Sequence, residues 1–172
     1  MIRHYRTVRV TVASIALAGL AACANMTEVP PGSPLSQVQA QFGTPNFECP
    51  LADGGRRVIW TQQPMGQYAW GTNVSPDGRI DRVMPLLTDA HFKVLETGDW
   101  GPERVRCEFG PPARIDQAGL GEKREVVWSY RYRENSSWNS LMYVYMGRDG
   151  NKVTHFHPGP DPMYDADRFN WW

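Results

Sequence analysis

The chain has no excess of charge of either sign. In 172 residues, 18 Lys+Arg stand against 18 Asp+Glu. A nucleic-acid-binding domain would be strongly basic, so that class is excluded. Catalytic signatures are missing too. Ser36, Ser129 and Ser140 lack the Gly-x-Ser-x-Gly context of a nucleophile elbow. No Gly-rich phosphate loop of the Walker or dinucleotide kind occurs. Cysteine is scarce, at three residues, and histidine at four. After residue 22 no stretch is long and apolar enough to cross a bilayer, which takes about 20 residues. The apolar fraction of 41% is low for a large core, but seven Trp and seven Tyr offer large surfaces for burial.

What is present begins at the N-terminus. Arg3, Arg6 and Arg9 precede an uncharged run from Val10 to Ala22. A basic start followed by a short apolar stretch reads as a secretory leader. Leu20-Ala21-Ala22-Cys23 then resembles the lipobox of bacterial lipoproteins. That resemblance implies cleavage before Cys23 and acylation of Cys23. Several acyl chains anchor a protein durably, where one alone is marginal. Ala24, rather than Asp, follows the cysteine, and the resemblance then implies the periplasmic face of the outer membrane. The leader holds three of the 18 basic residues, which leaves the remainder at a formal −3. Cys49 and Cys107 either pair, as an oxidising compartment favours, or stay separately buried thiols.

Five segments follow from this reading: a leader over 1–22, a lipidated tether over 23–31, a first unit over 32–86, a second over 87–158, and an aromatic tail over 159–172. In the first unit Ser33 and Pro34 open a helix carrying Leu35, Val38 and Phe42 on one face. Gly43 and Pro45 end it. Strands are expected over 56–61, 67–74 and 79–84, with a turn at Ser75-Pro76-Asp77-Gly78. In the second unit Thr88 caps a helix to about Thr97, with Phe92 and Leu95 inward. A further helix covers Pro102–Phe109, with Val105 and Phe109 inward. Strands are expected over 125–133, 140–146 and 152–157.

The two units read as an internal repeat. Val38-x3-Phe42-Gly43-x-Pro45 matches Val105-x3-Phe109-Gly110-x-Pro112, Val58-Ile59-Trp60 matches Val126-Val127-Trp128, and Asp77-Gly78 matches Asp149-Gly150. Gly-to-Trp spacing is 17 residues in the first copy and 18 in the second.

A capped helix, Val-x3-Phe-Gly-x-Pro, an aromatic strand and an Asp-Gly hairpin behind a lipobox are similar to the SmpA/OmlA (BamE-like) family of outer-membrane lipoproteins. The resemblance implies an α+β fold: two tandem BamE-like units, each with helices packed on a three-stranded antiparallel sheet. It implies a non-catalytic scaffold or assembly factor for envelope proteins, with the outer-membrane β-barrel assembly machine as the candidate partner and the membrane reached through the lipid. A tandem copy also resembles secreted β-lactamase inhibitor proteins. That alternative is an inhibitor or modulator of an envelope enzyme, carried by a loop such as 63–68 or 133–139. Fold alone does not settle function.

Exposed aromatics are the candidate partner-binding residues: Trp70, Trp100, Trp138, Tyr143 and Tyr145. Trp60 and Trp128 read as core. His155-x-His157, with Asp161 and Asp165 nearby, has the spacing to put two imidazoles on one strand face. The preferred reading is two histidines closing a strand; no metal, cofactor or catalytic residue is expected. The tail, with Phe169, Trp171 and Trp172, is either an anchor for a partner or membrane interface, or a strap packed on the body. The strap is preferred, because free Trp171-Trp172 would invite aggregation.

Overall fold

The structure is a computed structural model and describes residues 25–164. The expected leader, the expected acylation site Cys23 and the tail from Asp165 onward lie outside the described residues.

Each unit is a short helix followed by a four-stranded antiparallel meander. The first comprises α1 (Leu35–Phe42), β1 (Phe47–Pro50), β2 (Arg56–Thr61), β3 (Ala69–Val74) and β4 (Met84–Pro85), with strand order β1-β2-β3-β4. A one-turn helix α2 (Asp89–Phe92), continued as a 3-10 turn over Lys93–Glu96, leads to the second unit. There α3 (Pro102–Phe109) precedes β5 (Arg114–Ala118), β6 (Glu125–Glu134), β7 (Trp138–Tyr145) and β8 (His155–Pro160), in order β5-β6-β7-β8.

This corrects the expected α+β architecture of helices on three-stranded sheets. The fold is β-rich: two four-stranded antiparallel sheets with only three short α-helices among the described residues. The added strands are β1 and β5. Both are edges with little burial: Phe-Glu-Cys-Pro alternates over only four residues, and Arg-Ile-Asp-Gln-Ala carries no clear apolar alternation. The strand expected over 79–84 is mostly loop. Only Met84 and Pro85 join the sheet, with single bridges at Arg79 and Ile80. Ser33 does not cap α1 either. Pro34 occupies the cap position, and the Ser33 hydroxyl donates to Pro30 O at 2.7 Å. Thr88 does cap α2, accepting from His91 N–H at 3.1 Å.

Both eight-residue helices stop at a glycine, Gly43 and Gly110, with φ of +81° and +83°. A side chain there would be strained, which is why glycine ends both. Each glycine N–H closes on the carbonyl four residues back, Gln39 O and Arg106 O.

The strand register refines the repeat. Asn46 N–H donates to Ile59 O in the first unit, and Ala113 N–H to Ser129 O in the second. Ile59 faces Gly71 and Ser129 faces Tyr143; Gly71 pairs with Met84 and Tyr143 with His157. The equivalent of Trp60 is therefore Tyr130. Matching Trp60 to Trp128, as the aromatic spacing suggests, is two residues out of register. The aromatic donor confirms it. Trp60 Nε1–H donates to Gly43 O at 2.8 Å, and the Tyr130 hydroxyl to Gly110 O at 3.1 Å.

The layers follow from which strand faces are apolar. Val58, Trp60 and Val74 meet Leu35 and Val38 of α1 in one core. On the opposite face of the same sheet, Ile59, Ala69 and Leu86 join Phe92, Val105 and Phe109, and then Trp128, Tyr130, Tyr132, Met142 and Val144 of the second sheet. β2 is thus buried on both sides. Gly71 makes this packing work, because a Cβ there would lie 2.7 Å from Leu86 Cδ1. The stack runs α1, first sheet, α2 with α3, second sheet. Cys49 of β1 and Cys107 of α3 form a disulfide across the two units, with Cα atoms 5.9 Å apart.

Candidate functional site

Among the described residues, tandem stacking leaves one sheet face without a layer. In the first unit the face carrying Ile59 and Gly71 is covered by α2 and α3. The equivalent face of the second unit carries Ser129 and Tyr143, and no described helix packs on it. Four rings line it. Tyr145 pairs across the strands with His155, and Tyr143 with His157. Directly opposed side chains on one face approach closely. Tyr145 stacks on His155 with ring centroids 3.9 Å apart, and Tyr143 lies 5.6 Å from His157. Both histidines are exposed and both tyrosines half-buried, while Val127, Ser129 and Leu141 on the same face are buried. Burial pushes the Tyr143 phenol up, opposed by the Arg114 guanidinium.

Polar groups frame this face. Arg114 and Asp116 form an exposed ion pair at one side. At the other, Arg131 Nε lies 2.8 Å from Asp161 Oδ2, and Asp161 is fully buried. Arg131 also donates to Pro64 O, from the loop between β2 and β3.

A second cluster of ionisable groups lies where the units meet. Arg57 Nη2 lies 3.1 Å from Glu108 Oε1 and donates to Glu108 O at 3.2 Å. His91 Nε2 lies 2.7 Å from the same carboxylate oxygen, off the hydrogen-bond axis. Burial alone would push the Glu108 carboxyl up. The close His91 ring and the charges of Arg57, His91 and Arg104 override that and hold it below its ordinary value. The cluster ties β2 to α2 and α3.

The residues singled out from the sequence fall in different places. Tyr143 and Tyr145 lie together on the open face. Trp138, 66% exposed, begins β7 at the tip of the β6–β7 hairpin. Trp70 is half-buried and stacks on Tyr68 in the first unit. Trp100 belongs to the core: it is buried, donates to Thr97 O at 2.7 Å and is covered by Arg104 at 3.8 Å. In loop 63–68 Met65 and Tyr68 stay exposed, but the glutamines do not. Gln63 and Gln67 instead bond to Arg131 and Asn139 of the second unit. Sequence reasoning named Asp161 only as a neighbour of the two histidines and residue 63 only as the start of a loop; it missed their pairing with Arg131, since each gains its role from a partner at least 30 positions away.

No helix among the described residues is long and apolar enough to cross a membrane. No family model, curated protein or solved structure matches the chain.

Proposed function

We propose that this chain is a lipid-anchored, non-catalytic binding protein of the bacterial envelope that scaffolds or helps assemble envelope proteins. The observation that carries this reading is the open face of the second sheet. Its counterpart in the first unit is a packing surface already in use, and this copy keeps aromatic side chains where a further layer would sit. Tyrosine rings with polar tips suit a surface that is wet when free and buried when bound. A disulfide between the units favours an oxidising compartment, in keeping with the lipobox-like leader. Cys23 would hold the body at the periplasmic face of the outer membrane. Barrel proteins, or the machine that assembles them, are the partners the sequence resemblance suggests.

The test is site-specific photo-crosslinking in envelopes. A photoreactive residue replacing Tyr143 should crosslink to a barrel or an assembly-machine component. The same residue replacing Gln37, on the polar outer side of α1, should not. A single soluble hydrolase captured at Tyr143 would move the reading to the inhibitor alternative. No adduct at Tyr143 would overturn the open face as the binding surface.

A further inference from the structure

We propose that His155, His157 and Tyr145 form a binding site for one transition-metal dication, with Cu2+ the best fit. β8 places the two histidines two positions apart, so both rings rise from one face.

Hydrogen bonds fix their tautomers. His157 Nδ1 lies 3.0 Å from Pro158 O. A carbonyl only accepts, so Nδ1 carries the proton. His155 Nδ1 lies 3.0 Å from Thr154 Oγ1, which sits 2.9 Å from the Glu125 carboxylate and donates its hydrogen there. A hydroxyl whose hydrogen is engaged accepts from its other neighbour, so His155 Nδ1 is also protonated. In the neutral imidazole, the form that ligates a metal, each Nε2 then presents a lone pair. His157 Nε2 receives the Tyr145 hydroxyl at 3.2 Å. His155 Nε2 has no hydrogen-bond partner among the described residues.

This is how proteins hold imidazole ligands: the second nitrogen is anchored on a carbonyl or carboxylate, which sets ring orientation and basicity. Glu125–Thr154–His155 is such a relay, and Pro158 O does the same for His157. Tyr145 stacks on one histidine and bonds to the other; when the ion binds, the phenol proton passes to solvent, which frees His157 Nε2 and makes the phenolate oxygen the third donor. Among the described residues no three His, Cys, Asp or Glu come together, so the site rests on two imidazoles and a phenol. The ring centroids lie 6.4 Å apart with planes 21° from parallel. Both side chains are exposed to an ion from solvent, and each Nε2 must come within about 2.0–2.1 Å of it. Two nitrogens and an oxygen, completed by water, suit Cu2+ at the top of the divalent affinity order. Ca2+ and Mg2+ want oxygen ligands and are disfavoured.

The experiment uses the full mature protein in detergent, titrated with Cu2+ by calorimetry and followed by electron paramagnetic resonance. One Cu2+ per chain with a two-nitrogen hyperfine pattern is expected. His155→Ala and His157→Ala should each abolish that pattern. Thr154→Val, which keeps both imidazoles, should weaken binding about 10–100-fold through loss of the relay. Circular dichroism of each variant keeps loss of the site distinct from loss of the fold. Two results overturn the proposal. One is Cu2+ bound equally by the double histidine variant. The other is Thr154→Val binding like the parent, which would mean surface histidines with no built site. The measurement involves no partner, so its failure and that of the envelope-protein reading are separable.

Discussion

Gln63 of the first unit brackets the backbone of Arg131 in the second. Its amide nitrogen donates to Arg131 O at 2.8 Å, and its amide oxygen accepts from Arg131 N–H at 3.1 Å. β5 begins opposite Ser129, so β6 would otherwise show an open edge beyond it. Unpaired strand edges are costly when buried and invite wrong pairing when exposed. The first unit solves the same problem within itself. Asn46 brackets Thr61, donating to its carbonyl and accepting from its N–H, both at 2.8 Å. Thr61 and Arg131 are equivalent positions, each following the aromatic donor. Ala113 stands where Asn46 would be, so the second unit borrows its amide from the first.

Gln63→Ala should therefore destabilise the protein by about 1–3 kcal/mol, the cost of two stranded backbone groups. Adding Ala113→Asn should recover much of the loss by restoring a local amide. Urea denaturation of the single and double variants checks this. A double variant no better than Gln63→Ala would break the equivalence.

The ring donors to the helix-ending glycines give a second test. Tyr130→Phe removes one hydroxyl from a fully buried site and leaves Gly110 O without that donor. The expected loss is about 1–2 kcal/mol with the fold intact. Chemical denaturation measures it. A neutral result would mean that the hydroxyl carries no weight.

The Cys49–Cys107 bridge closes 58 residues and ties an edge strand to a helix of the other unit. Chain entropy for such a loop predicts a loss of about 4 kcal/mol on removing it. Cys49→Ser with Cys107→Ser should lower the unfolding midpoint sharply. Reductant should do the same to the parent and nothing further to the double variant.

Glu108 predicts a pH dependence. Its folded carboxyl titrates below the ordinary value of 4.5, because the His91 and Arg57 neighbours outweigh burial. The unfolded chain then binds a proton before the folded one does. The stabilisation is present above 4.5 and is lost as pH falls through the folded pKa. Glu108→Gln should be less stable than the parent at pH 7, with the gap closing in acid. Unfolding free energies at pH 7, 4 and 3 should converge; a constant gap would assign the effect to packing alone.

Legibility in the sequence tracked the range of the signal. Gly43 and Gly110 mark helix ends through their own backbone freedom, so both stops were readable. β2, β6 and β7 carry enough apolar and aromatic residues to show as strands. β1 and β5 did not show, because both bury little: β1 is only four residues long, and β5 has no apolar alternation. The Trp60–Tyr130 equivalence was hidden because the β5–β6 hairpin is longer, with one extra paired residue in each strand and one in the turn, which leaves Trp128 nearer the expected distance. The open face was legible only as aromatics at alternate positions. Nothing local distinguishes it from the covered face of the first unit.

By itself the sequence determined the glycine stops, the strong strands and the repeat, and it carries a resemblance to a lipobox behind an apolar run. Each is written in a handful of neighbouring residues and needs only local chemistry. The tertiary structure decided the rest: four strands per sheet, which face each helix covers, and that Trp100 is core while Tyr143, Tyr145, His155 and His157 share a surface. Those outcomes rest on contacts between residues far apart in the chain, such as Gln63 with Arg131 and Arg57 with Glu108. A strand's alternation says that it has two faces; only the packed molecule says which one is left for something else.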